Sequence, residues 1–99
     1  MKYFLEFKEE FKQNIVDAPV WYRDKAGGLD IRFLNAIEGT VKRIQNSPNA
    51  GIKIYKNYRQ PSVKKFPYVI VYEIILDSVI FYQAFHTSQN PKKKIKRLK

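Results

Sequence analysis

A run of apolar and aromatic residues between Phe66 and Pro91 most constrains how this chain can fold. Tyr68 to Leu76 is almost wholly apolar or aromatic, with β-branched residues throughout, and Val79 to Phe85 repeats that composition. Asp77-Ser78 interrupts the run, and strong β-formers on both sides of a short polar break predict a β-hairpin. Strands this apolar need cover on at least one face, so other parts of the chain must pack on them.

The first half of the chain has the spacing of two amphipathic helices. One apolar series recurs every three or four residues and consists of Phe7, Phe11, Ile15, Ala18 and Tyr22; a second consists of Leu29, Phe33, Ile37, Val41 and Ile44. Gly27-Gly28 separates them and predicts a helical hairpin. Pro19 predicts a kink or break in the first helix, and Asp30 is the expected N-cap of the second.

The remaining apolar segments predict further strands at Lys2–Phe7, Ile52–Tyr58 and Ser62–Phe66. Strands grouped after helices favour an antiparallel sheet with helices on one face. We therefore predict an α+β fold: an N-terminal strand, an antiparallel helical hairpin, and a three- to four-stranded antiparallel sheet that carries both helices on one face. The 99 residues suffice for a single domain, expected at 1–91, followed by a basic tail at 92–99.

Positive charge is concentrated in the second half of the chain. Residues 1–50 hold eight Lys/Arg against seven Asp/Glu, whereas residues 51–99 hold eleven against two, within a net charge of +10. This asymmetry favours an anionic partner, either nucleic acid or an acidic protein, over a basic surface that serves only solubility.

Other functional classes find little support in the sequence. One His and no Cys argue against a metal site, and no nucleophile motif or phosphate-binding glycine loop indicates a cofactor. We expect no disulfides, no signal peptide and no membrane span, which is compatible with a cytoplasmic protein.

A series of short motifs follows the predicted N-terminal strand: Ala18…Trp21-Tyr22, Gly28-Leu29…Arg32-Phe33, Ile44…Pro48, Tyr58-Arg59, Val63…Phe66-Pro67-Tyr68…Ile70…Tyr72 and Phe85-His86…Asn90-Pro91. In this order, they resemble the RelE/ParE superfamily of toxins from bacterial type II toxin–antitoxin pairs, often labelled plasmid stabilisation proteins. The resemblance covers nearly the whole chain, and the Phe-Pro-Tyr strand and hairpin are more similar to the ParE-like branch.

The resemblance implies a toxin that a cognate acidic antitoxin neutralises and that inhibits growth when free. It implies either inhibition of DNA gyrase by binding, towards which we lean, or ribosome-dependent mRNA cleavage of the RelE type. An inactive, antitoxin-binding relic is a third reading, because Gln89 stands where the family usually has an Arg.

The candidate catalytic residues are Arg59, Lys65 and His86. Arg59 matches a family Arg and would hold a phosphate or an antitoxin carboxylate; the alternative is a structural pair with an acid on the first helix. His86 could serve as general acid or base in attack by a 2′-hydroxyl, or it could simply be a hydrogen-bonded histidine at the end of a strand.

The candidate binding residues are the basic side chains of the second half: Arg59, Lys64, Lys65, Lys92, Lys93, Lys94, Lys96 and Arg97. Lys64 and Lys65 are expected on a strand with their side chains on opposite faces, so that at most one serves a given site. Their alternative role is to protect a strand edge from pairing. The tail could contact RNA backbone, dock an acidic antitoxin, or be inert.

Overall fold

The computed structural model describes residues 2–88. Their elements in chain order are β1 (Phe4–Phe7), α1 (Glu9–Lys25), α2 (Leu29–Asn46), a 3-10 helix (Pro48–Ala50), β2 (Lys53–Tyr55), β3 (Tyr58–Arg59), β4 (Tyr68–Ile75) and β5 (Ser78–His86). The α+β class and the helical hairpin that follows the first strand are confirmed. Gln89 and the basic tail at 92–99 lie outside the described residues, as do the predictions made for them.

The strands form one sheet with the order β1-β5-β4-β3-β2, which places the β4–β5 hairpin in its interior. Strands β2 to β5 pair antiparallel, as predicted. Strand β1 runs parallel to β5, with Phe4 opposite Ser78 and Phe7 opposite Phe81. The sheet is therefore mixed, with its parallel pair at one edge.

The turn of the β4–β5 hairpin lies one residue earlier than predicted. Ile75 pairs with Ser78, so the turn residues are Leu76-Asp77 and not Asp77-Ser78. Leu76 adopts φ +56° and is 92% exposed. The buried faces of both strands determine this register, because a slip of one residue would turn every side chain to the opposite face.

The segment predicted as one strand at Ile52–Tyr58 is instead two short strands. β2 and β3 form a narrow hairpin in which Tyr55 is opposite Tyr58, and the turn between them contains Lys56 at φ +52°. A residue other than glycine with positive φ is uncommon, so composition gave no sign of this turn.

The helical hairpin differs from the prediction in two details. The N-cap of α2 is Gly28, at φ +78°, and Asp30 lies in the first turn, where its charge is favourable to the helix dipole. Pro19 lies inside α1 without ending it. Ala18 and Tyr22 pack against the core on either side of Pro19, and this packing opposes a break despite the missing N–H.

The main core lies between the sheet and the two helices. It consists of Phe11 and Tyr22 from α1, Phe33, Ile37 and Ile44 from α2, Val63, and Ile70, Tyr72, Val79, Phe81 and Ala84 from the central strands. A smaller cluster on the opposite face of the sheet consists of Tyr58, Val69, Val71 and Phe85. Both helices therefore cover the same face of the sheet, as predicted.

Candidate functional site

Arg59 holds a loop of its own chain. Its guanidinium donates hydrogen bonds to the carbonyl oxygens of Asn49, at 3.3 Å, and of Gly51. Both acceptors belong to the segment that joins α2 to β2, so the arginine fixes the course of that segment. The alternative considered from the sequence, an ion pair with an acid on the first helix, is wrong, because the partners are backbone carbonyls.

Lys64 and Lys65 lie in a turn and not on a strand. The Phe66 N–H donates to the Val63 carbonyl at 3.4 Å, and Lys65 adopts φ +68°. In this segment only Ser62 makes a strand-like bridge, to Val69. The prediction that the two lysines face opposite sides is therefore wrong, because a turn does not alternate its side chains as a strand does.

Both lysines line one groove of about 600 Å³ between this turn and α2. Four cationic side chains surround it: Arg32 and Arg43 from α2, and Lys64 and Lys65 from the turn. Leu29, Ala36, Gly39 and Phe66 supply apolar lining. We call this the basic groove.

Arg32 and Arg43 are not among the candidate binding residues identified from the sequence, although Arg32 belongs to one of the family motifs. They are eleven residues apart, which is three helical turns, so they project from the same side of α2. This spacing was a usable signal. The charge asymmetry does not reveal it, because residues 1–50 are nearly neutral overall.

His86 ends β5 and lines a second cleft, between α1 and the sheet, with Asn14, Asp17 and Trp21. Its Nδ1 accepts a 3.0 Å hydrogen bond from the Ser88 N–H, and its ring contacts the Tyr68 ring edge to face at 5.5 Å. A nitrogen that accepts an N–H bond carries no proton, so the neutral imidazole has its proton on Nε2. The ring is therefore hydrogen-bonded at the end of a strand, and its catalytic role stays a prediction.

The structure does not bring the three candidate catalytic residues together. Arg59 is opposite Tyr72 of β4, and His86 is opposite Tyr68 of the same strand. Tyr68 and Tyr72 are four residues apart, so the two positions are separated by roughly 13 Å along β4. Lys65 faces the basic groove beside α2, whereas His86 lies in the cleft beside α1.

An aromatic cluster lies between the groove and the cleft. The rings of Tyr22, Phe33, Phe66 and Tyr68 contact one another, with centroids 4.9 Å apart for Phe33 and Tyr68 and 5.2 Å apart for Tyr22 and Phe66. A layer of packed rings leaves no room for a substrate to reach both Lys65 and His86 through the interior. The two surfaces are thus distinct.

Burial raises the pKa of several tyrosines. For Tyr22, Tyr68 and Tyr72 burial is the main cause, and at Tyr72 the charges of Arg59 and Arg43 act in the opposite direction. The pKa of Tyr82 rises furthest, first because of burial and then because its hydroxyl donates a 2.8 Å hydrogen bond to the Glu73 carboxylate. At neutral pH these hydroxyls are proton donors and not bases.

Within residues 2–88, no three His, Asp or Glu side chains are grouped so that they could hold a metal ion. Over the same residues, neither helix is long and apolar enough to cross a membrane.

Comparison with known proteins gives consistent results. Residues 5–91 match the family model described as the ParE toxin of the type II toxin–antitoxin system parDE. The chain is 26% identical over 81 residues to Toxin ParE2 of Mycobacterium tuberculosis strain CDC 1551 / Oshkosh, which covers 81% of this chain and 77% of that protein. Toxin ParE2 of strain ATCC 25618 / H37Rv matches to the same extent.

Solved structures share the fold at low sequence identity. A chain of the chromosomal ParDE TA system from P. aeruginosa superimposes with a TM-score of 0.76 at 12% identity, covering 86% of this chain and 96% of that one. The isolated E. coli RelE toxin superimposes with a TM-score of 0.61 at 14% identity, covering 98% and 99%. Since the family model spans nearly all of the described residues, the chain belongs to the ParE toxin family of type II toxin–antitoxin systems.

Proposed function

We propose that this protein is held inactive by a cognate acidic antitoxin and arrests growth when free, by binding and inhibiting DNA gyrase. Its family membership supports the toxin role. Several proteins of the same fold are seen in complexes with antitoxins, among them E. coli DinJ-YafQ and RelBE, which supports an antitoxin partner. A gyrase target requires binding and no chemistry by the toxin itself, and it places the action in the cytoplasm.

The observation that carries the choice of target is the separation of Arg59, Lys65 and His86. General acid–base cleavage of RNA requires proton-transfer groups within hydrogen-bond reach of one phosphodiester. Here the Arg59 guanidinium donates its hydrogen bonds to loop carbonyl oxygens, and Lys65 and His86 face different surfaces. This arrangement favours an inhibitor that acts by contact over a nuclease.

A ribosome-dependent mRNA endonuclease is the second candidate. The likeness to E. coli RelE favours it, and so do the four cations of the basic groove, which suit a phosphate backbone. An inactive relic that only binds antitoxin is the third reading, motivated by Gln89 in place of the usual Arg.

Expression in bacteria tests the proposal. The chain is induced alone and together with the adjacent reading frame, and we expect growth arrest only when it is induced alone. Purified toxin should then inhibit supercoiling by gyrase, and arrested cells should contain DNA breaks and intact messages.

Each alternative gives a different result. Messages cut within the ribosomal A site, with unbroken DNA, would replace the gyrase target by the nuclease. Unaffected growth in both strains would leave the inactive relic.

A further inference from the structure

We propose that the turn end of the β4–β5 hairpin is the surface that contacts gyrase, with Leu76 as an apolar anchor in a cleft of the enzyme. This inference rests on the proposed function and specifies which part of the toxin meets its target. The surface consists of Phe4, Ile75 and Leu76, and we call it the apolar tip. It lies at the end of β4 opposite to Tyr68, and therefore away from the His86 cleft.

The first argument is the backbone conformation of Leu76. Leu76-Asp77 is a two-residue hairpin turn, and Leu76 occupies its first position with φ +56°. Glycine is favoured at such a position, because a Cβ atom makes positive φ costly. Packing inside the protein does not offset this cost, since the side chain is 92% exposed. Strained residues concentrate at contact and switch positions, so Leu76 is the expected anchor.

The second argument is that neighbouring residues extend the apolar surface. Phe4 and Ile75 pair with Ser78 from its two sides, so the three residues form one row across β1, β5 and β4. Phe4 and Ile75 lie on the face of the sheet without helices, because the adjacent Leu5 and Ile74 pack against the main core. Phe4 is 66% exposed and Ile75 is 46% exposed. A contiguous apolar projection of this kind marks an interaction site.

The third argument is the charge around the apolar tip. Residues 51–99 contain two acids, Glu73 and Asp77, and both lie within three residues of Leu76 along the chain. Glu6 lies on the same part of the sheet, because Glu6 and Glu73 both pair with Ile80. Three carboxylates therefore border the apolar tip of a chain whose net charge is +10.

Lys2 and Lys8, which flank β1, partly balance these carboxylates. Lys8 makes an ion pair with Glu6 at 2.9 Å. Three carboxylates against two ammonium groups leave a local charge of −1. An acidic antitoxin and a phosphate backbone both favour the cationic parts of the molecule over this end. A partner that itself binds DNA presents cations, and these complement the carboxylates at the apolar tip.

Shape argues against a second copy of this chain as the partner. A stable interface buries about 800 Å² on each side, more than three side chains at a convex hairpin end supply. A symmetric dimer through the apolar tip would bring two projections together and place the same carboxylates opposite one another. A cleft in a larger protein instead surrounds the projection, so that Leu76 becomes the buried centre of the interface.

The test compares Leu76 variants in supercoiling assays with gyrase holoenzyme and relaxed plasmid. Leu76→Gly removes the side chain where glycine is favoured, so its melting temperature should equal or exceed that of the unmodified protein. We expect its inhibition of supercoiling to be weaker by about tenfold or more. Leu76→Met keeps an apolar side chain and should inhibit within about threefold of the unmodified protein. Full inhibition by the folded Leu76→Gly protein would overturn the proposal.

A matched control removes an exposed apolar side chain elsewhere. Ile52 is 80% exposed and directly precedes β2, at the edge of the sheet opposite to β1. Ile52→Gly should inhibit gyrase within about twofold of the unmodified protein, because surface substitutions outside an interface have small effects. Equal weakening by Ile52→Gly and Leu76→Gly would mean that general surface hydrophobicity is responsible, and the apolar tip would be rejected.

Charge reversal tests whether the facing surface is cationic. We expect Asp77→Lys to weaken inhibition by about fivefold, because it places a cation beside the anchor. Asp24→Lys makes the same change at an exposed position in the last turn of α1, away from the apolar tip, and should inhibit within about twofold. Stronger inhibition by Asp77→Lys would mean that the facing surface is acidic, which contradicts the proposal.

Other occupants of the apolar tip give different results. If Leu76→Gly inhibits gyrase fully but binds the adjacent gene product about tenfold more weakly, the tip belongs to the antitoxin. If light scattering shows a dimer that Leu76→Gly converts to a monomer with unchanged inhibition, the occupant is a second copy. Either result would overturn the proposal.

Failure of this inference differs from failure of the proposed function. If the unmodified protein inhibits gyrase and Leu76→Gly inhibits it equally, the target is contacted elsewhere and only the inference is lost. If the unmodified protein does not inhibit gyrase at all, the proposed function is lost together with the inference.

Discussion

The Tyr72 hydroxyl donates a 2.6 Å hydrogen bond to the carbonyl oxygen of Pro48, which joins the middle of β4 to the end of the helical hairpin. Tyr72 is 1% exposed, and the Arg59 guanidinium bonds the same loop at Asn49 and Gly51. Two side chains from neighbouring strands thus hold the segment that joins α2 to β2. Hydrogen bonds from sheet side chains, rather than the helix propensity of its own residues, hold this loop in place.

Tyr72→Phe should lower the free energy of unfolding by about 1–2 kcal/mol, because it leaves the buried Pro48 carbonyl without its donor. Chemical denaturation monitored by fluorescence measures this change. Tyr3→Phe is the control, since within residues 2–88 the structure gives the Tyr3 hydroxyl no hydrogen-bond partner, and it should change stability by less than about 0.5 kcal/mol. Equal effects of the two variants would contradict a special role for the Tyr72–Pro48 bond.

Two glycines should respond in opposite directions to the same substitution. Gly39 lies within α2 with no atom within 4 Å of an added Cβ, so Gly39→Ala should stabilise the protein by about 0.5–1 kcal/mol. At Gly51 an added Cβ would be 2.6 Å from the Tyr72 hydroxyl oxygen. Gly51→Ala should therefore destabilise the protein, because the hydroxyl must move away from Pro48. Melting temperatures that shift in the same direction would contradict this packing of the loop.

Arg59→Ala should destabilise the protein by about 2 kcal/mol, since it removes charge-assisted hydrogen bonds to the Asn49 and Gly51 carbonyls. Arg59→Lys should recover only part of this loss, because an ammonium group cannot reproduce the fork geometry of the guanidinium. Stability is measured beside growth arrest in both variants. A stable Arg59→Ala protein that has lost its activity would place the arginine in the functional surface and not in loop support.

Much of the architecture was predictable from residue spacing alone. The repeats of Phe7 to Tyr22 and of Leu29 to Ile44 correspond to α1 and α2 because each apolar stripe is continuous and long. The β4–β5 hairpin was predictable because two apolar runs of this length have few other ways to be buried. Periodicity is informative where one face of an element is buried and the other is not.

Turns and sites were less predictable, because they depend on tertiary contacts. Leu76, Lys56 and Lys65 all adopt positive φ without being Gly or Asn, so residue type does not mark their exact positions, although the polar Asp77-Ser78 break predicted the β4–β5 turn to within one residue. The strand predicted at Ser62–Phe66 also excluded the basic groove. Adjacent lysines on a strand point to opposite faces, so Lys64 and Lys65 could not both line one surface. Arg59 could be identified as important from its family motif, but its partners are backbone carbonyls that no sequence pattern specifies.

Alkaline pH should destabilise the protein through Tyr82. Its pKa is raised in the folded state, so the folded state holds the proton more tightly than the unfolded state does. The stabilisation is fully present below the unfolded tyrosine pKa of about 10 and is lost as pH rises above it.

Tyr82→Phe should therefore make the fall in stability above pH ~10 less steep, although Tyr22, Tyr68 and Tyr72 contribute in the same direction. Urea unfolding at a series of pH values measures the slope. At neutral pH the variant should lose about 1 kcal/mol, because its hydrogen bond to Glu73 is absent. Parallel pH profiles for the variant and the unmodified protein would contradict the assignment.

The tautomer of His86 provides a direct test of whether its ring is prepared for base catalysis. The Ser88 N–H occupies Nδ1 at 3.0 Å, so the nitrogen that could accept a proton is already engaged by the backbone. Long-range ¹H–¹⁵N spectra of the only histidine should show the Nε2–H tautomer at pH values where the ring is neutral. In that form Nε2 can donate a hydrogen bond to a phosphate oxygen but cannot take a proton from a 2′-hydroxyl.

Replacement of Ser88 by proline removes the backbone N–H and serves as the comparison. We expect Ser88→Pro to release Nδ1 and to produce a mixture of tautomers, while Ser88→Ala, which keeps the N–H, should give the spectrum of the unmodified protein. An Nδ1–H tautomer in the unmodified protein would leave Nε2 free to act as a base. That result would strengthen the case for RNA cleavage.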